Sequence, residues 1–213
     1  MIRIPEDHDW VIFCILGVLF AYVAMFYFLL RENSLRSYLL QSLEDATNSF
    51  LCWAIVSAGY VVLLSTLVSQ YIPVVPDFIS QYQLAGYELN KFGYTLSVFS
   101  IFYLGKTVLS YLFYSGVGNS RRWHAFYFTA TRFYLVISLV LIILCMAHYY
   151  FDIDKHEAFK IYLYFGVSVF IFKIFYYIFH KNKILPIKWY YKFLYICTLQ
   201  IAPLFALWKV LFI

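Results

Sequence analysis

The chain has 213 residues, of which 64% are hydrophobic and only 13% are charged, and its formal net charge is +5. A soluble domain carries about 25% charged residues, so this composition excludes an ordinary soluble fold and predicts an integral membrane protein. Basic residues on such a protein report topology and contact with anionic lipid, so the positive charge predicts no nucleic-acid partner.

Six stretches of about 20 mostly apolar residues are long enough to cross a hydrocarbon core of about 30 Å. The second ends at Pro73, the third is the weakest, and the fourth has its apolar centre from Phe133 to Phe151 with a start as early as Ala125 allowed. The sequence therefore predicts an all-α fold, a polytopic transmembrane helical bundle, with residues 1–213 as a single transmembrane domain in contact with the lipid bilayer. The spans are residues 10–30, 50–72, 94–115, 130–151, 158–179 and 190–210.

Two connections between the spans carry features of their own. In residues 34–46, Leu35, Leu39 and Leu43 recur at intervals of four, which suits an amphipathic helix lying at the membrane interface. A cytoplasmic extension of span one or two explains the same spacing equally well, and the sequence leaves both open. Residues 73–93 form the longest outer connection, where a short helix lying on the membrane is the expectation.

The distribution of lysine and arginine over the short loops predicts the orientation of the spans. The loops after spans one, three and five carry eight basic residues, and the amino terminus with the loops after spans two and four carries four. The more basic side is normally cytoplasmic, so both termini are expected outside the cytoplasm. The eight are Arg31, Arg36, Arg121, Arg122, Lys181, Lys183, Lys188 and Lys192, and the four are Arg3, Lys91, Lys155 and Lys160.

Lys106 stands near the middle of the third span, in the stretch SVFSIFYLGKTVLSYLFYSG. A central lysine costs about 2.5–3.5 kcal/mol on membrane insertion, and each Leu, Ile, Val or Phe contributes only about 0.3–0.6 kcal/mol. This span has ten such apolar residues and several small polar ones. It is therefore marginal by itself and is expected to depend on neighbouring helices.

The six predicted spans contain no Asp or Glu. An internal ion pair is therefore excluded for Lys106, as is a carboxylate proton relay. Several partners remain open: headgroup water reached by snorkelling, a neutral hydrogen-bond acceptor, a lipid phosphate, an anionic ligand, or a carboxylate supplied by a partner membrane protein.

Gln200 in the sixth span is the best internal acceptor for Lys106. At a rise of about 1.5 Å per residue, both side chains start roughly 15–18 Å from a helix end and so lie at similar depth. Pro203 has no N–H and frees the carbonyl of Leu199, which predicts a kink whose open backbone the Gln200 side chain can satisfy. We expect Lys106 to donate a hydrogen bond to Gln200 or to that carbonyl.

The remaining polar residues give weaker signals. Arg132 is expected at the cytoplasmic edge of span four with its side chain snorkelling to the headgroups, and Lys173 in span five behaves similarly. The candidate intramembrane polar site is therefore Lys106, Gln200, Pro203 and Arg132. Cysteines and histidines show no ligand spacing, and no HExxH, GxSxG or phosphate-binding loop occurs, so no catalytic residue, cofactor or metal is expected.

Three segments carry a family resemblance. KWYYKFLYICTLQIAPLFALWKVL (188–211), DWVIFCILGVLFAYVAMFYFLL (9–30) and the lysine of GKTVLSYLF are similar to a family of membrane proteins from Bacteroidota, catalogued as domain of unknown function 4271. The resemblance implies a multi-pass protein of the bacterial inner (cytoplasmic) membrane, which puts both termini in the periplasm. In that family an acidic residue commonly stands at the position of Gln200. This chain departs from the pattern there, so a role that needs this side chain to ionise is not expected. The resemblance implies no activity.

Three classes of function fit these observations. The leading class is a non-catalytic subunit or scaffold of an envelope membrane complex, in which a partner's carboxylate neutralises Lys106. The second is a small transporter or lipid-handling protein whose Lys106 and Arg132 attract an anionic substrate, and a polar cavity reaching Lys106 would favour it. The third and least favoured is an intramembrane enzyme, which a convergent cluster of His and Tyr at one depth would favour.

Overall fold

The protein is a bundle of long apolar helices, as the sequence predicts. The computed structural model describes residues 9–30, 35–41, 48–72, 83–84, 87–88, 90–117, 120–151, 153–180, 184–186 and 188–212. Six of its helices are long and apolar enough to cross a membrane. They are Trp10–Leu29, Ser49–Tyr71, Lys91–Gly116, Arg122–Tyr150, Lys155–Phe179 and Trp189–Phe212.

The elements follow one another in the order expected of a polytopic bundle. Helix α1 is Asp9–Ala24 and continues as a π-helical turn, Met25–Leu29; α2 is Leu35–Leu40; α3 is Ser49–Val68, with a 3-10 turn at Ser69–Tyr71. Strands β1, Gln83–Leu84, and β2, Tyr87–Glu88, pair antiparallel. Helix α4 is Lys91–Gly116, α5 is Ser120–Tyr150, α6 is Lys155–Phe179, and α7, Trp189–Leu194, runs through a π-helical segment, Tyr195–Ile201, into α8, Ala202–Phe212.

The observed helix ends differ most from the sequence prediction in span four. The sequence predicts this span from residue 130, with a start as early as Ala125 allowed, but α5 begins at Ser120 and the candidate membrane span at Arg122. The added turns are rich in aromatic residues, and all residues from Ala125 to Thr131 are buried. Because this stretch packs inside the bundle instead of facing lipid, it lacks the aliphatic character by which a span is recognised.

The two connections are only partly described. In residues 34–46, a separate six-residue helix, α2, is present and buries Tyr38, and residues 42–46 lie outside the described part of the chain. Residues 73–82 also lie outside the described part of the chain, so the short helix expected within residues 73–93 stays a prediction. Farther along this connection the two short strands β1 and β2 pair antiparallel, and α4 begins at Lys91. The side chain of Asn90 accepts a hydrogen bond from the Gly93 N–H at 2.8 Å, which caps that helix.

Contacts between helix ends define two ends of the bundle. At the first, which we call the terminal end, Trp10 packs on Phe92 and the Tyr94 hydroxyl donates to the Val210 carbonyl at 2.8 Å. At the opposite end, Tyr114 donates to the Ile184 carbonyl at 3.2 Å. The six spans therefore alternate in direction, and the start of α1 and the end of α8 lie at the same end of the bundle.

Candidate functional site: a cavity lined by two lysines

Lys106 and Gln200 meet inside the bundle. The Lys106 Nζ donates to the Gln200 Oε1 at 2.7 Å, and the Gln200 Nε2 donates to the Tyr195 hydroxyl at 2.9 Å. Gln200 and Tyr195 are buried, whereas Lys106 is half-buried. The predicted hydrogen bond is therefore present. Because the oxygen of the Gln200 amide accepts a hydrogen bond and its nitrogen donates one, the orientation of the amide between α4 and the π-helical segment is fixed.

The π-helical segment explains how Gln200 comes to face Lys106. It spans Tyr195–Ile201 and ends directly before α8, whose second residue is Pro203; the Ala202 N–H donates to the Cys197 carbonyl, five residues back. A proline cannot donate and clashes with the preceding turn, and the wider π turn relieves that clash. The sequence suggested that the Gln200 side chain would hydrogen-bond to the backbone opened by Pro203. It bonds to the side chains of Lys106 and Tyr195 instead.

Lys173 is the residue that the sequence analysis placed wrongly. It does not snorkel: only 7% of the residue is exposed, and its Nζ donates to the Tyr134 hydroxyl at 2.6 Å. The ammonium also lies 4.6 Å from the centre of the Tyr134 ring, a cation–π contact. Lys173 lies six residues, about 9 Å, before the end of α6, whereas Lys106 lies ten residues, about 15 Å, before the end of α4.

A cavity of about 30 Å³ lies between α3, α4, α5 and α6, and both lysines line it. That volume accommodates about two water molecules. The half-exposed part of the lining comprises Trp53, Tyr103, Lys106, Thr107 and Trp123; the buried part comprises Ser110, Phe126, Tyr127, Ala130, Tyr134 and Lys173. Of these residues, Trp53 and Trp123 lie near the starts of α3 and α5, toward the opposite end of the bundle.

The polar groups around this cavity are mostly donors. Both lysines line the cavity, and their ammonium groups together carry six N–H bonds. The acceptors that they contact are Gln200 and Tyr134. The Tyr103 hydroxyl already accepts from Ser57 at 3.1 Å. The only acidic residue in the six spans is Glu157, which is exposed in the first turn of α6. The cavity thus has an excess of positive charge and of donors.

Arg132 does not belong to this cavity. Its guanidinium lies 3.9 Å from the centre of the Phe128 ring, and one terminal nitrogen donates to the Gln41 carbonyl at 2.6 Å. Its side chain is therefore held by the segment after α2 and does not snorkel freely into water. Among the described residues, its Nε is buried without a hydrogen-bond partner.

A second cluster of titratable side chains lies at the terminal end. The Tyr71 hydroxyl and the His148 Nδ1 are 3.3 Å apart, and the His148 ring packs edge-on against Tyr149 and Tyr162. The Tyr149 hydroxyl donates to the Thr66 carbonyl at 2.7 Å. These groups bond with one another and with the backbone, as in a packed structural cluster. Across the described ranges, no three His, Cys, Asp or Glu residues converge on a metal-sized site, and all four cysteines are free.

Comparison with known proteins gives one finding. The model of a family described as a domain of unknown function (DUF4271) matches residues 10–211, nearly the whole chain. No curated protein and no solved structure matches.

Proposed function

Because the chain belongs to the family described as domain of unknown function 4271, whose description assigns no activity, we propose a function from the site alone. The protein binds an anionic group between its membrane-spanning helices, as a small transporter or lipid-handling protein does. The observation that carries the proposal is that Lys106 and Lys173, from different helices, line one cavity. The sequence analysis ranked a scaffold first and named a polar cavity reaching Lys106 as the feature that would favour this class, and the two lysines on one cavity are what supports it here.

The electrostatics of the cavity support an anion. A charged lysine in the hydrocarbon region costs several kcal/mol unless it is paired, and two like charges close together add repulsion. The only carboxylate in the described spans, that of Glu157, lies at the start of α6, 16 residues before Lys173, which is too far for it to pair with either lysine. A bound anion would offset the charge of both lysines and accept the hydrogen bonds that Gln200 and Tyr134 leave unused.

The location of the cavity supports a side of entry. Two residues of its half-exposed lining, Trp53 and Trp123, lie near the starts of α3 and α5, at the end of the bundle with the more basic loops. We propose that the protein is a single domain of the bacterial inner membrane with both termini in the periplasm, so the cavity would open toward the cytoplasmic leaflet. A topology reporter fused after Phe212 tests this orientation, because it is active only on the periplasmic side if the proposal holds.

The binding proposal is tested by the thermal stability of the purified protein in different anions. Chloride or acetate at constant sodium concentration and ionic strength is compared with gluconate, which is too bulky for a cavity of about 30 Å³. A ligand that binds only the folded state stabilises it by about 2.7 kcal/mol at 100 times its dissociation constant. For a chain of this size, each kcal/mol raises the Tm by about 2–4 °C.

Two variants make the result specific to the cavity. Lys173→Met should lose the response to small anions and should be more stable than the native chain in gluconate, because it removes a buried cation. Lys209→Met is the matched control, because Lys209 is exposed near the end of α8 and should keep the native response. Equal Tm values of the native chain in all anions, or an unchanged response in Lys173→Met, would contradict the proposal.

A non-catalytic subunit of an envelope complex is the second candidate. Lys106 is half-buried, and the adjacent Gly105 is exposed, with nothing within 4 Å of the position of an added Cβ. A partner helix can approach the backbone closely at such a glycine and place a carboxylate beside Lys106. Affinity purification in mild detergent compares the native chain with Lys106→Leu. Loss of a stoichiometric partner supports this candidate, and an unchanged set of co-purifying proteins contradicts it.

An intramembrane enzyme remains the least favoured class. The cluster of His148 with Tyr71, Tyr149 and Tyr162 is the type of arrangement that would favour it. Its rings pack against one another, however, and the Tyr149 hydroxyl is bonded to the backbone. A structural role accounts for those contacts.

A further inference from the structure

The size and surroundings of the cavity restrict which anion it takes, and this inference rests on the proposed function. We infer that the ligand is a carboxylate carrying an apolar tail, as in a fatty acid, and that it enters from the bilayer beside Trp53 and Trp123. Three observations carry the inference: the volume of the cavity, the number of its cationic donors, and the aromatic surface that continues from its half-exposed lining.

The volume argues for a carboxylate over a phosphate. About 30 Å³ accommodates roughly two water-sized groups. A carboxylate presents two oxygens to a binding site, whereas a phosphate group presents up to four around a larger central atom. A lipid phosphate would therefore have to displace side chains such as Phe126 and Tyr134, which are buried in the bundle.

The donors also match two oxygens. Lys106 reaches the cavity from α4 and Lys173 reaches it from α6, so one ammonium group is available for each oxygen of a carboxylate. Charge-assisted hydrogen bonds of this kind are the strongest that proteins make. Gln200 and Tyr134 hold the two ammonium groups at 2.7 and 2.6 Å, respectively, which preorganises them for the ligand.

The half-exposed lining indicates where an apolar tail would lie. Trp53 packs against Phe50, and Trp123 packs against Tyr111, at ring-centroid distances of 5.8 and 5.6 Å. Phe50 and Tyr111 are 67% and 52% exposed, so these aromatic pairs extend the cavity lining onto the outer surface of the bundle. Tryptophan and tyrosine favour the interfacial depth of a bilayer. A ligand bound there has its carboxylate at the lysines and its tail against lipid.

The test uses tryptophan fluorescence, because two of the five tryptophans line the cavity. A reporter chain keeps Trp53 and Trp123 and carries Trp10→Phe, Trp189→Phe and Trp208→Phe. It is placed in phosphatidylcholine nanodiscs and titrated with a fatty acid brominated in its tail, whose bromines quench nearby indoles. The inference predicts saturable quenching, and displacement by unbrominated oleate but not by oleyl alcohol. Oleyl phosphate should displace the probe at least about tenfold less well than oleate, a difference of about 1.4 kcal/mol.

Substitutions assign the quenching to the cavity. Lys106→Met with Lys173→Met should weaken binding at least about tenfold, and Lys209→Met should leave it unchanged. If the double variant does not fold, Thr107→Phe is used instead, because it narrows the half-exposed side of the cavity and keeps both charges.

The outcomes separate this inference from the proposed function. Equal or tighter binding of oleyl phosphate, non-saturable quenching, or quenching that neither substitution weakens would overturn the inference. If chloride or acetate stabilises the protein through Lys173 but the brominated fatty acid does not bind, the carboxylate inference fails and the proposed function stands. If no anion has a Lys173-dependent effect in either experiment, both fail. A carboxylate that can be supplied only by a co-purifying protein would also overturn the fatty-acid assignment.

Discussion

Lys106 and Gln200 lie 94 residues apart in the sequence, and the Nζ of the lysine is 2.7 Å from the Oε1 of the glutamine. This contact joins α4 to the π-helical segment before α8. Because the Gln200 amide also donates to the Tyr195 hydroxyl, the lysine, the amide and the phenol form one chain of hydrogen bonds. The chain holds one of the two cations beside the cavity at a fixed position.

Gln200→Leu is expected to destabilise the protein by about 1–3 kcal/mol. The substitution leaves the Lys106 ammonium without its acceptor and the Tyr195 hydroxyl without its donor, and both are costly inside a membrane protein. Lys106→Leu in the same chain should recover part of the loss, which gives a coupling energy of about 0.5–3 kcal/mol in a double-mutant cycle. Reversible denaturation in mixed micelles measures these values.

Thr198→Val is the control for this cycle. Thr198 lies in the same π-helical segment, but it is exposed and its hydroxyl donates to the Leu194 carbonyl of its own helix. Its replacement should change stability little and should not couple to Lys106. Strictly additive effects of Gln200→Leu and Lys106→Leu would show that the hydrogen bond contributes nothing to the folded state.

Tyr134→Phe and Tyr177→Phe should have opposite effects, although both remove one buried phenolic oxygen. The Tyr134 hydroxyl accepts from Lys173 at 2.6 Å, so its loss leaves a buried cation unsatisfied and should cost about 1–3 kcal/mol. The Tyr177 hydroxyl is buried with no hydrogen-bond partner among the described residues, so its removal should be neutral or stabilising. Thermal melts of the two variants test this pair, and equal losses would contradict the assigned role of Tyr134.

The sequence was sufficient for the six spans and for the contact between Lys106 and Gln200. The spans follow from length and hydropathy, which depend on the bilayer and not on which helix neighbours which. The contact followed from depth: with no acid in the predicted spans, few side chains at the level of Lys106 can accept a hydrogen bond from its ammonium group. Depth along a helix is set by counting residues, so both predictions needed no knowledge of packing.

Lys173 could not be placed in the same way because its role depends on rotation about the helix axis. After its first two turns, α6 is apolar or aromatic at almost every position, so no polar face distinguishes the side toward the bundle from the side toward lipid. Lys173 and Tyr177 lie four residues apart, and both are buried on the side of α6 that faces the bundle. The sequence does not identify that side, because the hydrogen bond from Lys173 to Tyr134 depends on how the helices pack. The π-helical segment before Pro203 similarly changes which residues face inward.

Gly59→Ala is expected to destabilise the contact between α1 and α3 by about 1–3 kcal/mol. An added Cβ at Gly59 would lie 2.5 Å from the Tyr22 hydroxyl oxygen, and only 4% of Tyr22 is exposed, so the ring has little room to move. Gly17→Ala and Gly166→Ala are the controls. Nothing lies within 4 Å of an added Cβ at either position, and alanine is the better helix former by about 1 kcal/mol.

A second substitution identifies the clash at Gly59. Tyr22→Phe removes the hydroxyl oxygen nearest to the added methyl group, so Gly59→Ala should cost less in that background than in the native chain. The two effects should therefore be non-additive when measured by thermal unfolding in the same detergent. An equal cost of Gly59→Ala in both backgrounds would contradict the close approach of Tyr22 to α3.

His180 should make the stability of the protein depend on pH below about 6.5. It follows the last residue of α6, outside the span, and burial together with the nearby Arg132 guanidinium lowers its pKa from the usual 6.5. The unfolded chain therefore takes up a proton at a higher pH than the folded protein does, so stability is complete above about pH 6.5 and is lost as the pH falls through the pKa of the folded state.

Replacement of His180 by Gln removes this proton uptake, so the Tm of His180→Gln should fall less than the native Tm between pH 7.5 and 5. His156→Gln, at an exposed position near the start of α6, is the control and should retain the native pH dependence. An identical pH dependence in His180→Gln and the native protein would show that burial beside Arg132 does not disfavour the imidazolium.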